Sequence, residues 1–179
     1  MPAIPRLVLP AYSQYLDVAS RRWRLNACGV VALKTVMDYW LGREVGTFSG
    51  IIRQGVQLHA YAAKRGGWLH KGLVALAKRN GFRAYAVDDA SSSLSVAIRG
   101  LKRELAHGPV LVSVQKYFSS NAGGHLIVVS AFQKSRFFYN EPASFTRKGV
   151  RRSVGVKRFA RGWKKRYIIV RPAKRIPQR

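Results

Sequence analysis

Cysteine and acid are what this chain has least of. Its 179 residues include one cysteine, Cys28, and seven Asp plus Glu against 33 Lys plus Arg, a formal net charge of +26. A lone cysteine cannot close an internal disulfide, which excludes a disulfide framework and a cysteine-rich zinc site and leaves the redox compartment open. No uninterrupted apolar stretch approaches the roughly 20 residues of a membrane-spanning helix. Met1 to Pro10 lacks the charged start, apolar centre and small-residue cleavage site of a signal peptide. These absences point to a soluble chain and favour the cytoplasm without fixing a compartment. Zinc-finger spacing, a Gly-Phe-Gly-Phe strand of the RNA-recognition type and a Gly-rich phosphate loop ending in Gly-Lys-Ser/Thr are also missing, so neither a cofactor nor a metal is indicated.

What is present in excess is positive charge, with a sequence pI near 11.5. Such a chain attracts polyanions, whether nucleic acid, anionic lipid or an acidic wall polymer. The basic residues are densest from Arg147 to Arg179, but Phe159, Trp163, Tyr167, Ile168, Ile169 and Val170 are interleaved there, so most of that segment reads as folded. With 47% hydrophobic content the length suits one well-buried core. Residues 1–172 therefore read as a single domain and 173–179 as a basic tail.

The apolar periodicity alternates between helix and strand. A helix is expected from Cys28 to a stop at Gly42. A second, capped by Thr47 or Ser49, is expected through Ile51, Ile52, Val56, Leu58 and Ala62 to Gly66-Gly67. A third should span roughly Lys71 to Arg79. Strand patterns follow at Phe82 to Val87, Val110 to Val114, His125 to Phe132, Phe137 to Asn140 and Tyr167 to Val170. A helix capped by Ser91-Ser92-Ser93 and a short one around Val156 to Trp163 are inserted among them. Helices first and antiparallel strands afterwards make an α+β layout.

Cys28 stands in Asn26-Ala27-Cys28-Gly29, directly at the start of the first of these helices. Unsatisfied backbone N–H groups and the positive end of the helix dipole favour thiolate over thiol at such a position, although a free cysteine is also a common small core residue. A nucleophilic cysteine needs a base. His59 is expected inside a helix, His70 at a helix start and His107 in the turn before Pro109. His125 follows Gly123-Gly124 at the beginning of an apolar strand, where close approach is possible. The third member of such a site fixes the imidazole tautomer. After Glu104 the chain has one acidic residue, Glu141, beside Asn140 on the strand expected to pair with that of His125. Strand parity leaves both open: a regular even-numbered loop puts Asn140 on the face of His125, and an odd loop or a bulge puts Glu141 there.

Taken together, Gln14, Asn26-Ala27-Cys28-Gly29, Asp38-Tyr39-Trp40-Leu41-Gly42, Gly108-Pro109-Val110-Leu111-Val112, Gly124-His125-Leu126-Ile127-Val128-Val129 and Asn140-Glu141-Pro142-Ala143 resemble the double-glycine, or bacteriocin-processing, cysteine peptidases. These are papain-like enzymes found as N-terminal domains of peptide exporters and as free-standing relatives, and the chain looks like the free-standing branch. The resemblance spans Leu7 to about Val170. It implies a papain-like fold, N-terminal helices packed on a C-terminal antiparallel sheet, and cleavage of a peptide or protein substrate through a thioester. It also implies Cys28 as nucleophile, His125 as base and then acid, and Gln14 as an oxyanion donor with the Cys28 N–H. Glu141 would orient His125 where the family usually has Asp, with Asn140 as substitute. The contrasting expectation is a catalytically weak or inactive peptidase-like protein whose strongly basic surface binds a polyanion.

Overall fold

The computed structural model describes residues 6–119 and 122–173. The basic tail expected from Ala173 lies outside the described residues from Lys174 onward. Six strands form one antiparallel sheet in the order β3-β8-β4-β5-β6-β7: β3 (Phe82–Asp88), β4 (Val110–Gln115), β5 (Gly124–Gln133), β6 (Arg136–Asn140), β7 (Arg151–Gly155) and β8 (Trp163–Pro172). Alternation along the strands feeds two apolar layers. Leu111, Leu126, Val128, Ile168 and Val170 pack with α2 (Cys28–Leu41), α3 (Phe48–Gln57) and α4 (His70–Arg79). Val110, Val112, Ile127, Val129 and Ile169 pack with α5 (Leu94–Leu105) and α6 (Val156–Gly162). The result is α+β, with the helices of the first half on one face of the sheet.

Helix α2 is central to the first layer. Every residue from Gly29 to Asp38 is buried, and Gly42 ends the helix in the left-handed conformation (φ 65°), its N–H bonded to the Asp38 carbonyl. That is the expected Gly stop. Near its other end, Gly29 has a packing reason: a Cβ there would sit 2.8 Å from Cβ and Cγ of Trp68. The same indole covers Gly55 of α3, where a Cβ would meet Cζ3 at 2.5 Å, and its Nε1 donates to the Asn26 carbonyl at 2.7 Å. Trp68 thus wedges α2 against α3.

This wedge explains where the chain departs from expectation. Thr47 does cap α3, its Oγ1 accepting from Gly50 N–H at 3.1 Å, but the helix ends at Gln57 rather than continuing to Gly66. The Ala60 N–H bonds back to the Gly55 carbonyl, and His59, expected within the helix, lies beyond it with φ 51°. The chain then forms a small hairpin of β1 (Tyr61–Ala62) and β2 (Gly67–Trp68), which delivers Trp68 to its place. Besides this hairpin, a four-residue helix α1 (Arg21–Arg24) and the edge strand β7 were not anticipated. Strand β8 also begins earlier than the apolar run, at Trp163.

Candidate active site

Cys28 is the first residue of α2, and its N-cap, Ala27, offers no side-chain acceptor. The first-turn N–H groups therefore keep their capacity to hold an anion. Cys28 as a residue is half-buried. It is hydrogen-bonded to the His125 side chain and receives the backbone N–H of Leu126, a group available because the pairing of β5 with β6 begins only at Val128.

His125 enters β5 opposite Val114 and is 6% exposed. Its Nε2–H donates to Glu141 Oε1 at 2.5 Å, so the bond to Cys28 uses Nδ1. The same carboxylate oxygen accepts the Ala143 N–H at 2.8 Å.

The choice between Asn140 and Glu141 is made by a β-bulge. The β5–β6 loop has two residues, Lys134 and Ser135, both with positive φ (46° and 60°), the twist-compatible form of a tight hairpin. A regular ladder from that loop would put Asn140 in the pleat of His125. The register instead shifts between Val129 and Ala131, giving Val128 opposite Asn140. One step further along, Glu141 falls opposite Ile127 and so shares the pleat of His125. Asn140 is turned to another task, its Nδ2 donating to the Pro10 carbonyl at 2.8 Å. Of the two residues left open by strand parity, Glu141 is the one hydrogen-bonded to His125.

Gln14 is 2% exposed. Its backbone N–H donates to the Pro142 carbonyl at 2.8 Å, and its Nε2 to the Arg24 carbonyl at 2.6 Å. Its Oε1 is buried without a partner among the described residues. The segment around it is strapped to the loop after Glu141. Ser13 Oγ donates to the Ser144 carbonyl at 2.5 Å, and Arg147 binds Asp17 with both terminal nitrogens at 2.6 and 2.8 Å. The Tyr15 and Phe145 rings stack with centroids 4.2 Å apart.

A family model for the Peptidase_C39-like proteins matches residues 7–168. The chain belongs to the Peptidase_C39-like family. Two solved structures carry the same fold. A double-glycine motif protease from an AMS/PCAT transporter, solved in complex with the leader peptide, is 16% identical, covering 97% of this chain and 99% of that one with a TM-score of 0.64. The peptidase domain of Streptococcus ComA, a bi-functional ABC transporter involved in a quorum sensing pathway, is 17% identical, covering 81% and 90% with a TM-score of 0.58. No curated protein matches. The resemblance read from the motif order and the papain-like α+β fold agree with these findings.

In this C39-like chain the three groups set one another's protonation. Burial alone pushes the Cys28 thiol up, but the hydrogen bond and positive charge of His125, with the Leu126 N–H, bring it below the ordinary thiol value. Burial would depress His125; the hydrogen bonds to Cys28 and Glu141 and their negative charges outweigh it and lift the imidazolium to about 10. Glu141, also penalised by burial, is held below the usual carboxylate value by His125 and the Ala143 N–H. All three directions favour the charged forms, a thiolate and an imidazolium beside an ionised carboxylate at a helix N-terminus.

Of the other histidines, His59 follows α3, His70 opens α4 and His107 precedes Gly108-Pro109, as a turn residue. Among the described residues no three His, Cys, Asp or Glu side chains gather as a metal-binding group, and no helix is long and apolar enough to cross a membrane. The groups that sequence reasoning missed are backbone ones: the Leu126 and Ala143 N–H donors and the Arg24 carbonyl. Backbone groups leave no residue-type signal. Gly29, directly after Cys28, was a readable sign of close packing at this turn.

Proposed function

We propose that the protein is a cysteine peptidase that cleaves peptide bonds by acyl transfer, with Cys28 as nucleophile, His125 as general acid and Glu141 as its orienter. The observation that carries this reading is the continuous hydrogen-bonded chain from Cys28 through His125 to Glu141 at the start of α2.

The Cys28 thiolate attacks the scissile carbonyl carbon, forming a C–S bond as the carbonyl oxygen takes up the electron pair. The oxyanion is received by the Cys28 N–H at the start of α2 and by Gln14. The Gln14 amide has two N–H bonds; one is committed to the Arg24 carbonyl, which fixes the plane of the group, and the other is offered to the oxyanion. As the intermediate collapses, His125 Nδ1 gives its proton to the departing amine and the C–N bond breaks. His125 then takes a proton from water, whose oxygen attacks the thioester and regenerates the Cys28 thiolate with His125 protonated. Glu141 keeps its charge throughout, holding Nε2–H and so the orientation of the ring.

The solved relative bound to a leader peptide supports a peptide as the substrate class. The reading is tested by alkylation and turnover together. Iodoacetamide should label the wild type rapidly at neutral pH and Cys28→Ala not at all, and His125→Ala should label slowly while cleaving no peptide. Equal labelling of wild type and His125→Ala would overturn the thiolate–imidazolium pair.

A further inference from the structure

The seven carboxylates are all engaged by groups of the protein itself. Asp17 is bound by Arg147, Asp38 and Glu44 by Lys34, Asp88 by Arg166, and Glu104 lies 3.9 Å from Arg171. Asp89 accepts from the Tyr167 hydroxyl at 3.4 Å, and Glu141 is held by His125. Among the described residues no side-chain carboxylate is left over to neutralise cations beside Cys28 and His125.

Cations do stand there. Lys164 Nζ lies over Gly124, the residue before His125, 3.2 Å from where a Cβ would sit, and no hydrogen bond or ion pair occupies it among the described residues. The Lys116 N–H is fixed to the Gly123 carbonyl at 3.0 Å, with the ammonium 5.3 Å from the exposed Tyr117 ring. Arg158 reaches the Tyr117 carbonyl at 3.4 Å. On the helix side, Arg21 and Arg22 are exposed on the short helix that leads into Cys28. Burial, with Arg166 and Lys164 acting against Asp88, keeps the His70 imidazole below its ordinary value.

We propose that the Cys28–His125 centre selects acidic peptides, with Lys164 and Lys116 receiving substrate carboxylates beside the scissile bond. The inference rests on the peptidase reading and adds the substrate class. A peptide fits better than a nucleic acid because Lys164 lies over the residue before His125, which a chain cleaved at Cys28 must pass. Cations at this spacing raise the local concentration of an anionic ligand and lose that influence as salt shortens the screening length.

The test is a pair of alkylating reagents of similar size, anionic iodoacetate and neutral iodoacetamide. Both react by the same step, thiolate displacing iodide with C–S formed and C–I broken. At low salt the iodoacetate-to-iodoacetamide rate ratio at Cys28 should exceed that of free cysteine. Lys164→Gln and Lys116→Gln should each lower it roughly two- to fivefold, whereas Arg103→Gln, an equal charge loss on α5, should leave it unchanged. Raising salt from about 0.05 to about 1 M should erase the difference. Peptides with Asp or Glu beside the cleaved bond should show higher kcat/KM than Asn or Gln counterparts, and the gap should shrink in Lys164→Gln. A ratio indifferent to both lysines overturns the acidic-substrate proposal while leaving the peptidase reading intact. So does salt-sensitive binding of a duplex oligonucleotide in a protein that shows no peptide preference. Labelling by neither reagent breaks the peptidase reading itself.

Discussion

Helix α2 carries a buried charged cluster towards each end, and the two are built to opposite purposes. Near the C-terminal end, Lys34 is 1% exposed and bonds Asp38 at 2.5 Å. Asp38 also accepts the Tyr12 hydroxyl at 2.9 Å and the Val45 N–H at 2.8 Å. The Lys34 ammonium lies over the Tyr12 and Phe48 rings at 4.8 and 5.1 Å, with Glu44 at 3.5 Å. Each charge there is met by several partners, and the cluster holds the N-terminal segment to α2. At the other end His125 and Glu141 are also buried, but their chain of bonds finishes on the half-buried Cys28 and on first-turn N–H groups that no side chain caps. Burial of a charged pair is thus common to both, and an unfinished end distinguishes the one suited to chemistry.

That contrast is sharpest under substitution. Cys28→Ala should lower turnover by roughly 10⁴-fold or more, with an unchanged thermal transition, measured by peptide cleavage and calorimetry. Glu141→Gln should come next, with kcat down about 10²–10⁴-fold. The same change should narrow the pH profile. In the wild type, turnover needs thiolate and imidazolium together, so it falls as pH drops through the lowered Cys28 value and as pH rises through about 10. Without the carboxylate the imidazolium loses a stabilising charge, and the alkaline limb should move down towards the ordinary 6.5. An unmoved limb in Glu141→Gln would show that His125 owes nothing to Glu141.

Lys34→Met strands Asp38 and should cost about 3–5 kcal/mol of stability, read as a lowered denaturation midpoint, with kcat of the folded fraction preserved. A loss of kcat without loss of stability would contradict the division of labour between the two ends. Gln14→Ala should reduce kcat by about 10²–10³-fold with KM little changed. A purely structural Gln14 would instead lower stability and spare kcat.

Much of this site could be read from residue types, because a cysteine opening a helix, a Gly-Gly-His strand entry and a lone late acid each have a chemical reason to be where they are. What could not be read is what depends on backbone path. The bulge at Ser130 decides between Asn140 and Glu141, yet Val129-Ser130-Ala131 continues an ordinary strand pattern. Helix α3 ends early because Trp68 must return to cover Gly55, a contact between distant residues. Strand β7 was hidden by its composition: Arg151 and Arg152 suit an exposed edge, where charge discourages further pairing, and not the apolar alternation that signals a strand. The length of β8 was masked likewise, since Lys164, Lys165 and Arg166 precede its apolar run and Lys165 adopts φ 53°.

Trp68 gives the molecule an optical property as well as a wedge. Its indole rests on the residue after Cys28, and its N–H is held by the Asn26 carbonyl two residues before it. An intrinsic fluorophore is therefore anchored on both sides of Cys28. Alkylation at that sulfur should change the polarity and quenching around the ring, read as an emission change that Trp68→Phe removes, with no attached dye and no chromogenic substrate.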